Sequence, residues 1–272
     1  MAENKIPKII HYCWFSGEEI PAFLTQCIDS WKELMPDYKL RLWDSTSFDF
    51  ESVPFVKEAY KAKKWAFVAD YIRLYALFHE GGIYLDSDVK VFKRFDKFLV
   101  YNFFTSHEIH PDNFNDTEKN KLNKYYQPIN KNDYIYGLNI QAAIMGSSKG
   151  NSYIKECLDF YIDKHFIGED GTQLSKEFII GPYISKIAEK YGYVYNKKEQ
   201  LLDNHMLILE PEVFVGNTTF LTKDSYAVHL CNGSWKEKSL YEICLYNIRN
   251  KFPKVYPLII LGTKLYRAIT KI

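Results

Sequence analysis

What this chain of 272 residues lacks narrows its role before any motif is considered. It has no excess of either charge. Lys and Arg number 35 against 34 Asp and Glu, a net of +1, which argues against a dedicated nucleic-acid binder. No apolar run reaches the ~18–20 residues of a membrane span, and no basic segment leads into an apolar signal stretch. Cys13, Cys27, Cys157, Cys231 and Cys244 are an odd set with no paired spacing and no Cys-x-x-Cys. They read as reduced thiols of a cytosolic protein rather than a disulfide framework or a zinc site. Internal repeats are absent. What remains is ordinary for a globular chain: 47% apolar and 25% charged residues, enough for one ample core. Aromatics are plentiful, at 17% with 22 Tyr. Most must pack the core, but aromatic faces also stack on sugars and nucleobases.

The sharpest local signal is Gly81-Gly82-Ile83-Tyr84-Leu85-Asp86-Ser87-Asp88-Val89. An apolar run, entered through a Gly-Gly turn, reads as a buried strand that stops at two carboxylates. On an extended chain i and i+2 point to one side, so Asp86 and Asp88 converge. Two anions so close repel unless a cation lies between them, and hard oxygen ligands suit Mg²⁺ or Mn²⁺. A bare Asp-x-Asp is more often only a polar turn. The preceding run from Trp65 to Glu80 changes that balance. It has helical spacing of apolar groups and is nearly all apolar apart from Asp70 and Arg73, which share a face at i and i+3. A charged pair on a buried helix needs a partner or a purpose.

Strands and helices alternate along the chain. Strands are expected at 6–15, 38–43, 83–92 and 138–145, with short ones at 206–209 and 226–231. Helices are expected at 20–35, 55–63, 65–80, 151–166 and 182–191, the last with Pro182 at its first position. That alternation implies a mainly parallel sheet covered on both faces. The polar stretch from 108 to 135 breaks the pattern and reads either as a lid or substrate loop or as a surface excursion. The tail differs in composition. From Lys236 to Ile272 eight Lys and Arg face two Glu, a net of +6, and Leu258, Leu261, Leu265 and Ile272 form an apolar stripe beside Lys264, Arg267 and Lys271. Either a basic amphipathic helix on an anionic membrane surface or a helix docked on the body accounts for it.

The block Ala69-Asp70-Tyr71-Ile72-Arg73 with Gly81-Gly82-Ile83-Tyr84-Leu85-Asp86-Ser87-Asp88 resembles carbohydrate-active family 32, the glycosyltransferases with a sugar-binding Asp-x-Asp (DXD) motif. Two further segments agree: Ile6-Pro7-Lys8-Ile9-Ile10-His11-Tyr12-Cys13-Trp14 near the start, and Ala227-Val228-His229-Leu230 with Gly233-Ser234-Trp235 near the end. That family includes outer-chain mannosyltransferases, capsular polysaccharide transferases and, more distantly, glucosylating toxin domains. The resemblance implies an α/β chain of the GT-A fold, a Rossmann-like mainly parallel sheet with helices on both faces. Residues 1–235 would be the catalytic domain and 236–272 a C-terminal helical extension.

The same resemblance implies a retaining hexosyltransferase that uses Mn²⁺ or Mg²⁺ and a nucleotide sugar. Asp86, Asp88 and His229 would hold the metal. Trp14 would stack on the base and Tyr84 contact the donor, while Asp70 and Arg73 would grip its sugar and phosphate. Asn139 and Gln141 would lie near the reacting sugar, and Ser234 and Trp235 would close over the leaving diphosphate. No nucleophile for a covalent route stands out, so a same-face mechanism is what the family implies. The donor is expected to be a UDP-hexose, with GDP-mannose possible. The acceptor would be a saccharide, free or lipid-linked, of bacterial capsule, lipopolysaccharide or exopolysaccharide. The protein would be cytoplasmic, peripheral on the inner face of the plasma membrane through the tail. Other readings of the residues are a metal-dependent nucleotidyltransferase, for which an N-terminal Gly-rich phosphate loop is missing, and a non-catalytic sugar- or nucleotide-binding module.

Overall fold

A computed structural model describes residues 4–174 and 178–230. Ser234, Trp235, the 235/236 boundary and the basic tail lie outside the described residues. In chain order the strands are β1 (Ile9–Cys13), β2 (Lys39–Trp43), β3 (Gly82–Leu85), β4 (Val89–Val91), β5 (Phe103–Ile109), β6 (Leu138–Ile140), β7 (Ile144–Ser147), β8 (Gln200–Leu202), β9 (Met206–Leu209), β10 (Phe214–Val215) and β11 (Ala227–His229). The helices are α1 (Ala22–Leu34), α2 (Pro54–Lys61), α3 (Trp65–His79), α4 (Asp116–Lys119), α5 (Ser152–Asp159) and α6 (Ile180–Ala188).

The main sheet runs β2-β1-β3-β7-β5-β9-β8, with β6 paired to β5. Strands β2, β1, β3, β5 and β9 share one direction, while β7 and β8 oppose it. The alternation of side chains along each strand splits the core in two. Tyr84, Phe103, Met145, Met206 and Ile208 face α2, α3, α5 and α6. Their neighbours Ile83, Leu85, Phe104, Ile144, Leu207 and Leu209 face α1 and a small second sheet, β10-β11-β4. This is the expected α/β arrangement, a mainly parallel sheet with helices on both faces. No helix among the described residues is long and apolar enough to cross a membrane.

The Gly-Gly turn is required by close approach. Gly81 and Gly82 have φ of +69° and +116°, and a Cβ on Gly82 would lie 2.7 Å from the Ile9 carbonyl oxygen. His11 ties the same corner. It is fully buried, its Nε2 donates to the Gly81 carbonyl at 2.7 Å and its Nδ1 accepts from the Trp43 indole at 3.1 Å. Burial lowers the His11 pKa, which keeps the neutral tautomer that both bonds need.

Four expected elements differ from those observed. The strand through Asp86 and Asp88 does not continue to Phe92. It ends at Leu85, the chain turns with the Val89 amide donating to the Asp86 carbonyl, and β4 joins the second sheet instead. The run 138–145 is two strands, β6 and β7, because its central carbonyls are used elsewhere. The Gln141 oxygen accepts from Thr105, Ala142 from Arg73 and Ala143 from the Asp86 amide. The helix expected over 151–166 stops at Asp159, and the backbone amides of Phe166 and Ile167 then donate to Glu58. In α6 Pro182 sits in the first turn but not at its first position, since the helix begins at Ile180.

Candidate functional site

The strand ends that build the site share one edge of the main sheet, the carboxyl edge of β1, β3 and β5, where ligands bind in open α/β sheets. A cavity of about 480 Å³ opens there. It is lined by Trp14 and Phe15 after β1, Asp70 and Arg73 on α3, and Tyr84, Asp86 and Asp88 at the end of β3. Glu108 and His110 from β5 and its exit, Asn139 on β6, Gly181 and Pro182 on α6, and His229 on β11 complete its wall.

His229 arrives by strand pairing. Strand β11 runs antiparallel to β4, His229 stands opposite Val89, and the Leu230 amide donates to the Asp88 carbonyl. The imidazole Nε2 therefore lies 3.2 Å from an Asp88 oxygen and 3.7 Å from Asp86 Oδ2. One ligand atom from each of the three residues lies within 4.8 Å of the others. Octahedral Mg²⁺ at ~2.1 Å spaces its ligands roughly 3 to 4 Å apart, so this cluster of two hard carboxylates and an imidazole fits a Mg²⁺- or Mn²⁺-sized ion. The convergence expected from strand alternation is produced instead by the turn at 86–88.

Asp86 divides its two oxygens. Oδ1 accepts from the Tyr84 hydroxyl at 2.8 Å and lies 3.3 Å from Arg73, while Oδ2 faces His229. Arg73 is almost fully buried and completely engaged. It donates to the carbonyls of Ala69 and Ala142, pairs with Asp70 at 2.9 Å, and lies over the Tyr84 ring at 4.7 Å. Burial opposes its charge, but Asp86, Tyr84 and Asp70 outweigh it and keep the guanidinium protonated. Asp70 faces the opposite balance. Burial and the Asp86 charge raise its carboxyl to about 7 against the pull of Arg73, since one guanidinium serves two carboxylates.

Trp14 is half-buried, with its indole N–H donating to the Glu18 carbonyl at 2.7 Å. The residue borders the cavity. Tyr84 is buried, and its hydroxyl supports Asp86. Asn139 borders the cavity and anchors its amide on the Ile135 carbonyl. Gln141 lies behind the wall, fully buried, and neither its side-chain oxygen nor its nitrogen has a hydrogen-bond partner among the described residues. Glu108 and His110 were not anticipated from sequence. The available signal was a carboxylate closing the otherwise buried run Phe103-Phe104-Thr105-Ser106-His107-Glu108.

Residues 21–105 match the family model described as glycosyltransferase sugar-binding region containing DXD motif. The matched span holds Asp70, Arg73, Tyr84, Asp86 and Asp88, as the resemblance read from the sequence led one to expect; Trp14, Asn139 and His229 fall outside it. The chain is 34% identical over 103 residues to mannosyl phosphorylinositol ceramide synthase SUR1 of Saccharomyces cerevisiae, covering 36% of this chain and 27% of that protein. It is 35% identical over 103 residues to inositol phosphoceramide mannosyltransferase 2 of Schizosaccharomyces pombe, covering 36% and 30%. The chain thus spans less than a third of the length of these curated relatives. Among solved structures, the PaToxG glycosyltransferase superposes with a TM-score of 0.44 at 16% identity, covering 68% of this chain and 69% of that one.

Proposed function

We propose that this chain, which carries a glycosyltransferase sugar-binding region with its DXD motif, transfers a hexose from a nucleotide sugar to a saccharide acceptor with retention of anomeric configuration. The observation that carries the reading is the meeting of Asp86, Asp88 and His229 in a cavity that Trp14 also borders. A nucleotide sugar needs both ends of that arrangement: an aromatic face for its base and a divalent cation for its diphosphate. Bound there, Mn²⁺ or Mg²⁺ would supply Lewis-acid neutralisation of the charge that develops on the leaving diphosphate. Asp86, positioned by Tyr84 and Arg73, presents one oxygen to that site, and Arg73 adds fixed positive charge beneath it.

Donor and acceptor are read from the sequence resemblance and the relatives' names. A UDP-hexose is the first choice, and the mannosyltransferase names of the relatives put GDP-mannose beside it. The acceptor is a growing bacterial capsule, lipopolysaccharide or exopolysaccharide unit on a lipid carrier. The basic stretch from Lys236 would place the enzyme at the inner face of the plasma membrane. Full-length protein should then co-sediment with anionic liposomes at low salt and be released at high salt. No binding at low salt removes the membrane assignment.

The deciding experiment is a panel of nucleotide sugars incubated with purified protein and Mn²⁺, read as released nucleoside diphosphate. Slow hydrolysis of one donor, accelerated by an acceptor saccharide, is the expected result. If no donor in the panel is bound or turned over, the proposal fails. Trp14→Ala should weaken nucleoside diphosphate binding about tenfold, as loss of ~1–3 kcal/mol of base stacking implies. Calorimetry showing unchanged affinity but a collapsed melting temperature would make Trp14 a core residue.

A further inference from the structure

Along the carboxyl edge of the main sheet the site residues fall in spatial order. Trp14 follows β1, Asp86 and Asp88 follow β3, and Glu108 is next to last in β5. One strand, β7, separates β3 from β5. At ~4.8 Å per strand, the end of β5 lies about 10 Å along the edge from the carboxylate strand. A nucleotide sugar with its base on Trp14 and its diphosphate at Asp86, Asp88 and His229 therefore directs its sugar toward β5. Glu108 stands at that end of the cavity.

The local structure prepares Glu108 for such a contact. It is opposite Asn139 in the antiparallel β5–β6 pair, so the two side chains share a face, and both border the cavity. The His110 imidazole lies 3.6 Å from Oε1. Burial pushes the Glu108 carboxyl up, but the nearby His110 imidazole and the charges of His229 and Arg73 outweigh it and hold the pKa below its ordinary value. The group is thus an anion at neutral pH, able only to accept hydrogen bonds. Gly216 leaves it room. A Cβ there would lie 2.8 Å from Glu108 Cγ, 2.9 Å from its Oε1 and 2.9 Å from the Gln141 amide nitrogen.

We infer that Glu108 accepts a hydrogen bond from a hydroxyl of the sugar carried by the donor, and that Gly216 keeps its carboxylate in place to do so. Glu108 thereby distinguishes a nucleotide sugar from the free nucleoside diphosphate. The inference rests on the nucleotide-sugar reading above.

The test compares UDP with UDP-glucose, UDP-galactose and UDP-N-acetylglucosamine, and GDP with GDP-mannose, by calorimetry with Mn²⁺. For the sugar that the wild-type protein prefers, the ratio of nucleotide-sugar to diphosphate affinity should fall about tenfold in Glu108→Gln. It should fall in the same direction in Gly216→Ala, which displaces the carboxylate without removing it. Loss of a negative charge near a diphosphate should leave UDP or GDP bound as tightly or more tightly. A purely structural role would instead weaken both ligands together, and that result overturns the inference, as does an unchanged ratio. If the wild-type protein binds neither diphosphate nor any sugar nucleotide, the nucleotide-sugar reading itself is wrong, and this inference falls with it.

Discussion

Asp88→Ala is expected to abolish sugar transfer, by three orders of magnitude or more, in a protein that melts within a few degrees of the parent. The carboxylate is buried against His229 and near Asp86, so its loss would take one ligand from the proposed metal site and relieve repulsion in the metal-free chain. Asp86→Ala should be as inactive but less stable, because it leaves the Tyr84 hydroxyl and one side of Arg73 without their partner. His229→Ala should act more mildly, raising the Mn²⁺ concentration needed for half-maximal rate. The assay is release of nucleoside diphosphate across a Mn²⁺ titration, with a thermal melt on each variant. Near-parental turnover in both aspartate variants would remove the metal site from the mechanism.

Arg73→Ala should combine inactivity with the largest loss of stability, about 3–5 kcal/mol, as expected when one member of a buried ion pair is removed. The guanidinium is 6% exposed and joins α3 to the 141–143 segment and to Asp86, so its removal leaves these groups without their shared partner. Urea unfolding would measure this, and a loss under 1 kcal/mol would contradict it. The same cluster has a pH signature in the metal-free protein. Asp70 keeps its proton in the folded chain up to about pH 7, while in the unfolded chain it releases it near pH 4, the ordinary range. The folded state therefore holds the extra proton between these values, and its contribution to stability is lost as pH rises through the window. Asp70→Asn should flatten that part of the stability–pH curve. An identical slope in parent and variant would show that Asp70 ionises normally.

Much of this site was legible locally. The apolar periodicity from Trp65 to His79, the Gly81-Gly82 break and the run into Asp86 each lie within a single helix, turn or short strand. Propensity and side-chain period act over that range, so helix α3, strand β3 and the burial of Asp70 and Arg73 could be read without a fold. His229 was placed in the site only by resemblance to a family motif, because nothing near it in sequence marks it as a ligand.

What the chain alone could not decide was pairing between distant segments. Asp88 and His229 meet because β4 leaves the main sheet and takes β11 as an antiparallel neighbour, a register set by packing against α1 and β10 rather than by either strand's own residues. The 138–145 run divides because Arg73, Thr105 and the Asp86 amide claim its carbonyls, and each of these comes from another element. Glu108 joins the cavity only once β5 is known to stand two strands beyond β3, across β7, and parallel to it. Local sequence thus determined the elements and which of their faces are buried. Only tertiary structure decided which strand ends share an edge, because strand order depends on hydrogen bonds between segments far apart in the chain.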